Sequence, residues 1–281
     1  MDYIELNIKL QPLWPFNELI VVQLADAGFE SFVDTEDGVL AYGQVGQTSV
    51  ERAIQETFLG EQREDVTFSF THSIIPAQNW NAVWESDFEP VHVEELVSIL
   101  APFHDRSLAK GMIVEIQPKM SFGTGHHQTT WMMSKALFDI EKMPNRVLDM
   151  GTGTGVLAII AEKLGAKEIL AIDIEDWSVE NTIENAERNQ CKHIEALCGD
   201  VDLLENRTID LILANINKNV LKNQIPTYSN ILVEGGTLLL SGFFDSDVDE
   251  LVNFAQAHHF ELDKVYKKDN WAAIKLKKQS L

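Results

Sequence analysis

The sequence predicts an α/β chain in two parts: a small α+β unit, then a doubly wound, mostly parallel sheet. Two observations carry this. In the first 75 of the 281 residues the hydrophobic period switches between strand and helix in the order β-α-β-β-α-β. From Arg146 onward apolar strands and amphipathic helices alternate, the pattern of a parallel sheet with helical crossovers.

The first unit is built as follows. Tyr3 to Leu10 places Ile4, Leu6, Ile8 and Leu10 on one face, as a half-buried strand does. Phe16 to Ala27 has helical spacing, opened by Pro15 and closed by Gly28. Phe29 to Val33 and Val39 to Tyr42 flank the turn TEDG and read as a hairpin. Ser49 to Leu59 is a second helix and Val66 to His72 a last strand. This order is the split motif of ferredoxin-like domains. Residues 1–75 carry 3 Lys and Arg against 13 Asp and Glu, a net charge of −10. With no catalytic constellation and this charge, the unit is expected to dock a basic substrate, a purely structural appendage being the alternative.

Residues 76–110 are expected to form a linker with helical segments. Trp80 and Trp84 fall on one face of a helix, and Val93 to Leu100 reads as another short one. Met112 to Ile116 is a strand of the second domain, residues 111–281. The alternation then runs through RVLDM, a helix from Val156, EILAIDI, a helix from Ser178, IEALCGD and DLILANI. A helix at Val220 to Ile231, the strand GGTLLLSGF and a helix at Asp247 to His258 follow. The ending LDKVYKKDNWAAIKLKK is an antiparallel hairpin closing the sheet.

Composition narrows the class. Hydrophobic residues at 45% and charged residues at 23% suit a globular chain with a real core. No apolar run reaches the roughly 18 residues needed to span a bilayer, and the N-terminus lacks a signal-peptide layout. Cys191 and Cys198 fall outside any CxxC pattern and read as reduced thiols, so a cytoplasmic location is expected. The net charge of −22 repels phosphate backbones and attracts a basic partner, so no direct nucleic-acid binding and no membrane contact are expected.

Two glycine-rich runs carry the chemistry. VLDMGTGTGVLAII ends a strand and opens a helix, where backbone approaches a ligand closely. The dinucleotide fingerprint needs glycine at position 156, which is Val156, and the Walker lysine is missing. The pattern D-x-G-x-G-x-G remains, with Asp149, Gly151, Gly153 and Gly155. It resembles motif I of class I S-adenosylmethionine-dependent methyltransferases, whose core is Rossmann-like. Asp173 in EILAIDI, at the end of the second core strand and 22 residues after Gly151, is placed to bind a ribose diol. Asp200 is a candidate for the adenine amino group, and Asp149 for the methionine ammonium and the sulfonium.

The other run, SFGTGHHQTTW (Ser121 to Trp131), fits a phosphate loop, half a metal site or a plain connection on its own. Adjacent histidines make a poor chelating pair, so no metal is expected. FGTGHHQTT is similar to FGTGxHxTT of the ribosomal protein L-eleven methyltransferases, the PrmA family. DMGTGTG, AIDI and LANIN match three further segments of that family. The resemblance covers nearly the whole chain in architecture. It implies a ferredoxin-like substrate-recognition domain joined to a class I methyltransferase core. It also implies S-adenosylmethionine as cofactor, bound by Thr130, Gly151, Asp173 and Asn215, with the loop folded over its methionine end and Phe122 and Trp131 as possible cover. Gln128 departs from the family's usual proline, and Pro118-Lys119-Met120 from its proline–glycine–methionine lead-in.

The implied reaction is N-methylation of lysine side chains, and of an N-terminal α-amine, on a basic large-subunit ribosomal protein. A lysine must lose a proton first, at about 4.6 kcal/mol near pH 7, against about 1 to 1.5 kcal/mol for an α-amine. Asn215 is expected to orient the amine's lone pair as the catalytic residue, and no dedicated general base stands out. A methyltransferase for another protein, a small amine or a nucleic acid is the alternative. The N-P-P-Y and D-P-P-Y motifs of base and glutamine methylation are absent from LANINKN. The intact glycines and Asp173 speak against a non-catalytic module.

Overall fold

The computed structural model describes residues 2–76, 85, 87–119 and 121–280. The chain divides into two compact units, Met1–Asp87 and Phe88–Leu281. The helix expected around Trp80 and Trp84 lies outside the described residues.

The first unit runs β1 (Tyr3–Gln11), α1 (Phe16–Asp26), β2 (Ser31–Thr35), β3 (Gly38–Gln44), α2 (Val50–Glu56) and β4 (Thr67–Ile75). Its strands pair antiparallel in the order β2-β3-β1-β4. Alternation in β1 buries Ile4, Leu6, Ile8 and Leu10, which α1 covers with Phe16, Ile20 and Leu24 at one-turn spacing. Each such side chain contributes about 1.5 to 3 kcal/mol by leaving water. Ser49 starts α2 by accepting from the Arg52 amide at 3.1 Å.

The second unit begins with a three-stranded sheet, β5 (Val91–Val93), β6 (Val97–Leu100) and β7 (Met112–Glu115). This corrects the helix expected over Val93 to Leu100. Val93, Val97 and Leu100 mimic helical spacing, but Glu94 takes φ +51 and turns the chain, so Val93 pairs with Val97 across a tight hairpin. The β-branched residues then pack on the pleated surface they favour.

Behind it lies a seven-stranded sheet of β8 (Arg146–Met150), β9 (Glu168–Asp173), β10 (Ile194–Cys198), β11 (Ile209–Asn215), β12 (Leu232–Phe244), β13 (Phe260–Lys268) and β14 (Trp271–Lys278). The order is β10-β9-β8-β11-β12-β14-β13, parallel except for the terminal hairpin. Helices α3 (Gln128–Phe138), α4 (Val156–Lys163), α5 (Asp176–Arg188), α6 (Lys218–Ile231) and α7 (Val248–Gln256) connect or cover the strands. Leu211 and Leu213 of β11 enter one core, Ile212 and Ala214 the other. Burial on both faces explains the unbroken apolar runs.

Chain order reverses between β8 and β11. In open α/β sheets the crevice outside the carboxyl ends at such a point is where ligands bind.

Candidate active site

A cleft of about 510 Å³ opens at that reversal. The end of β8 supplies Met150, Gly151 and Gly153; the end of β9 supplies Asp173, Ile174 and Glu175. Trp177 and Ser178 come from α5, Gly199 and Asp200 follow β10, and Asn215 and Ile216 follow β11. Val220 and Gln224 of α6 close one side, and Ser121 and Phe122 of the first glycine run another.

Five residues singled out in the sequence therefore meet on one surface: Gly151, Gly153, Asp173, Asp200 and Asn215. Asp173 is held by the backbone, its Oδ2 accepting from the Gly153 amide at 2.9 Å and its Oδ1 from the Glu175 amide at 3.1 Å. Each oxygen keeps a lone pair for a ligand hydroxyl. Asp200 accepts from the Val201 amide at 2.7 Å and from Gln224 Nε2 at 2.6 Å. Gln224 in turn accepts from the buried Tyr228 hydroxyl, so a polar chain from α6 fixes the Asp200 carboxylate. Burial, with the Asp200 charge, pushes the Tyr228 hydroxyl well above its ordinary pKa and keeps it a donor.

Two of the expected residues lie behind the lining of the cleft. Asp149 does not line the cleft. Its carboxyl group is 1% exposed and turns under the glycine loop, accepting from the Thr152 hydroxyl at 2.8 Å and the Ala158 amide at 3.2 Å. Burial raises its pKa from 3.8 to about 7, opposed by those two bonds and aided by the Asp173 charge. Thr130 is also absent from the lining. The run SFGTGHHQTTW is loop only as far as His127, whose Nδ1 caps α3 by accepting from the Thr129 amide at 3.3 Å. Helical geometry then turns Thr130 inward, fully buried, its hydroxyl without a hydrogen-bond partner. Trp131 packs against the core and donates to the His92 carbonyl at 3.0 Å, outside the cleft.

The two glycine runs are bonded to each other. The Thr154 amide donates to the Phe122 carbonyl at 2.9 Å and the Thr154 hydroxyl to the Gly123 carbonyl at 2.7 Å. A Cβ on Gly153, which has φ +58, would collide with that same Phe122 carbonyl. One on Gly123, at φ +105, would meet the Thr154 hydroxyl at 2.8 Å. Only glycine permits this approach. Asn185 of α5 locks the assembly, donating to the Thr154 carbonyl at 2.9 Å and accepting from the Gln117 amide at 2.8 Å.

The two histidines serve different neighbours. His126 Nε2 lies 2.8 Å from the Glu89 carbonyl, and its ring packs on Phe88 at 4.4 Å. His127 is held below its ordinary pKa by burial and faces Phe122 at 5.3 Å and Trp271 at 4.6 Å. His127 also lines a second, smaller cavity of about 280 Å³ with Phe122, Thr129, Asn215, Ile216, Asn217, Gly242 and Trp271. Phe122, Asn215 and Ile216 belong to both cavities. The Asn215 side-chain oxygen is buried there with no hydrogen-bond partner, as is the Ser121 hydroxyl in the larger cleft.

A family model described as ribosomal protein L11 methyltransferase (PrmA) matches residues 25–279. The chain belongs to this family. A ribosomal protein L11 methyltransferase from Porphyromonas gingivalis is 40% identical over 260 residues, 92% of this chain and 89% of that protein. One from Phocaeicola vulgatus is 35% identical over 279 residues, 98% and 99% of the two chains. Among solved structures, ribosomal protein L11 methylase from Lactobacillus delbrueckii subsp. bulgaricus superposes with a TM-score of 0.63 at 27% identity, covering 69% of this chain and all of that one. The chain is thus a methyltransferase with a class I core.

Sequence reasoning missed several lining residues of this PrmA-family site. Trp177 and Ser178 begin α5 one turn beyond Asp173, where their helical pattern resembled any amphipathic start. Gln224 was visible only as a polar residue in α6. Trp271 was part of a hairpin that seemed merely to close the sheet, and only the strand order brings it beside β12.

Proposed function

We propose that this methyltransferase binds S-adenosylmethionine in the 510 Å³ cleft and methylates amines of ribosomal protein L11: lysine side chains, and the N-terminal α-amine. The observation that carries the cofactor assignment is the meeting of Gly151, Gly153, Asp173, Asp200 and Asn215 on one wall at the sheet's reversal point. The cleft's size is within the roughly 300 to 1,000 Å³ of cofactor sites. The partnerless Ser121 hydroxyl and Asn215 oxygen are polar atoms that a polar ligand would satisfy. The relatives' shared substrate and the −10 charge of residues 1–75 support a basic ribosomal protein over a nucleic acid.

When bound, S-adenosylmethionine supplies a sulfonium methyl that passes to the amine nitrogen while the S–C electron pair stays on sulfur. The chain's own residues bind and aim. Asp173, pre-set by two amides, takes the ribose diol. Asp200, steadied by Gln224, takes the adenine amino group. Asn215 bounds both cavities, and its side-chain oxygen accepts an amine hydrogen so that the nitrogen lone pair faces the methyl. The amine proton leaves to solvent. Thr130 and Asp149 act behind the wall, Asp149 by holding the glycine loop through Thr152 and Ala158.

Calorimetric titration with S-adenosylmethionine tests the assignment. Removing a carboxylate that takes two charge-assisted hydrogen bonds, each worth about 1.5 to 3 kcal/mol, makes Asp173→Ala weaken binding by at least about a hundredfold. Unchanged affinity in a folded Asp173→Ala protein removes the cleft from consideration as the cofactor site.

A further inference from the structure

We propose that Tyr228 and Gln224 of α6 form a positioning relay that makes the cofactor site selective for a 6-aminopurine over a 6-oxopurine. The relay does so by fixing which oxygen of Asp200 faces the ligand. The inference rests on the reading of Asp200 as the adenine contact.

Three observations converge. First, the two donors that hold Asp200 reach the same oxygen. The Val201 amide donates to Oδ1 at 2.7 Å, and Gln224 Nε2 donates to Oδ1 at 2.6 Å. Oδ2 takes no donor among the described residues, which leaves it as the acceptor for a ligand of the cleft that Asp200 lines. Second, the Gln224 amide can stand only one way round. A carboxylate only accepts, so the NH2 end faces Asp200 and the carbonyl end faces the Tyr228 hydroxyl, which donates. Reversed, the amide would set its own oxygen against the carboxylate. Third, the relay starts deep in the molecule. Tyr228 is fully buried in the core that also holds Leu221 and Ile225 of the same helix, and Gln224 is 4% exposed. A phenylalanine would fill that space with no hydroxyl to satisfy. Gln224 and Tyr228 stand four residues apart on one face of α6, so the hydroxyl reaches the amide directly.

These features select the base. The free oxygen of Asp200 offers lone pairs only, and the amino group of a 6-aminopurine meets them with an N–H. A 6-oxopurine brings a carbonyl oxygen to the same place and leaves two acceptors facing each other. A site built to bond a donor rejects a ligand that lacks one, because its own polar atom is then unpaired. The selectivity depends on the whole relay. Without the Tyr228 hydroxyl, the carbonyl oxygen of Gln224 is buried with no donor, so the amide turns away and frees the Asp200 carboxylate to rotate. Tyr228 lies outside the lining of the cleft and so acts only through Gln224.

The test compares wild type, Tyr228→Phe and Asp200→Asn in full-length protein. Calorimetry measures the binding of S-adenosylhomocysteine and of its 6-oxo counterpart, S-inosylhomocysteine. Wild type is expected to bind the adenosyl compound about ten- to a hundredfold more tightly. Tyr228→Phe is expected to cut that ratio by about three- to tenfold, mostly by weakening the adenosyl compound. In Asp200→Asn the side-chain oxygen keeps both donors, the NH2 takes the place of Oδ2, and the preference is expected to invert. Should Tyr228→Phe not fold, Gln224→Met carries the same comparison. An equal loss for both compounds in Tyr228→Phe, or no change in either, overturns the relay. A wild-type ratio near one with no inversion in Asp200→Asn removes Asp200 as the adenine contact, and the relay with it, while the Asp173→Ala titration still decides the cleft. Inversion in Asp200→Asn beside an unchanged ratio in Tyr228→Phe keeps the adenine contact and sinks the relay alone.

Discussion

The Thr154 hydroxyl donates to the Gly123 carbonyl at 2.7 Å, joining two glycine-rich loops that are 31 residues apart in the chain. One loop forms the floor of the proposed cofactor cleft, and the other brings Ser121 and Phe122 to its side. Because Thr154 is fully buried, this tie is not replaced by water when it is cut.

Thr154→Val keeps the shape and removes the donor, leaving the Gly123 carbonyl unpaired. A loss of about 1 to 3 kcal/mol in unfolding free energy is expected, together with weaker S-adenosylmethionine binding, since Gly123, next to the cleft-lining Phe122, loses its anchor. Urea denaturation and calorimetry check the two parts. Full stability with unchanged binding would mean that the loop is held by its other contacts alone.

Asp149 makes a pH prediction. Its folded pKa of about 7 exceeds the ordinary 3.8, so the folded state holds a proton that the unfolded state has released between those values. Stability therefore falls as pH rises from about 4 to 7, with a slope of at most about 1.4 kcal/mol per unit from this group, and levels off above. Asp149→Asn cannot ionise. The difference in unfolding free energy between variant and wild type should shift in the variant's favour across that window, measured by denaturation at stepped pH. A pH-independent difference contradicts the buried, proton-holding carboxyl group.

Gln128 stands where the family usually has proline, and the structure explains why both residues serve. It is the first residue of α3, where an amide has no intrahelical partner. His127 before it has φ −74 and ψ 139, which a following proline accepts. What glutamine adds is a long contact to Asp269 at 3.4 Å. Gln128→Pro should fold normally and change stability by between zero and about +1 kcal/mol, through reduced freedom of the unfolded chain. A loss of more than about 1 kcal/mol in urea would show that the Asp269 contact matters.

The sheet and its glycine loop were legible in the sequence because they depend on backbone properties: apolar runs for strands buried on both faces, glycines where chains approach, an acid at a strand end. Side-chain direction was less legible. Asp149 and Thr130 occupy motif positions, yet one turns under its loop and the other into a helix interior. A motif fixes distance along the chain, and helix phase fixes where the side chain goes. Val93 to Leu100 was misread for a related reason, since three apolar residues fit either period until Glu94 sets the turn. Trp271 became visible only through strand order, a long-range property that no local window contains.

The central claim is that this chain moves a methyl group from S-adenosylmethionine to amines of L11. Purified protein, S-adenosylmethionine labelled in its methyl group, and a mixture of undermethylated ribosomal proteins test it directly. Label is expected on L11, at lysine side chains and the α-amine, and none with Asp173→Ala. Label on RNA or on a small amine, with L11 left bare, would contradict it.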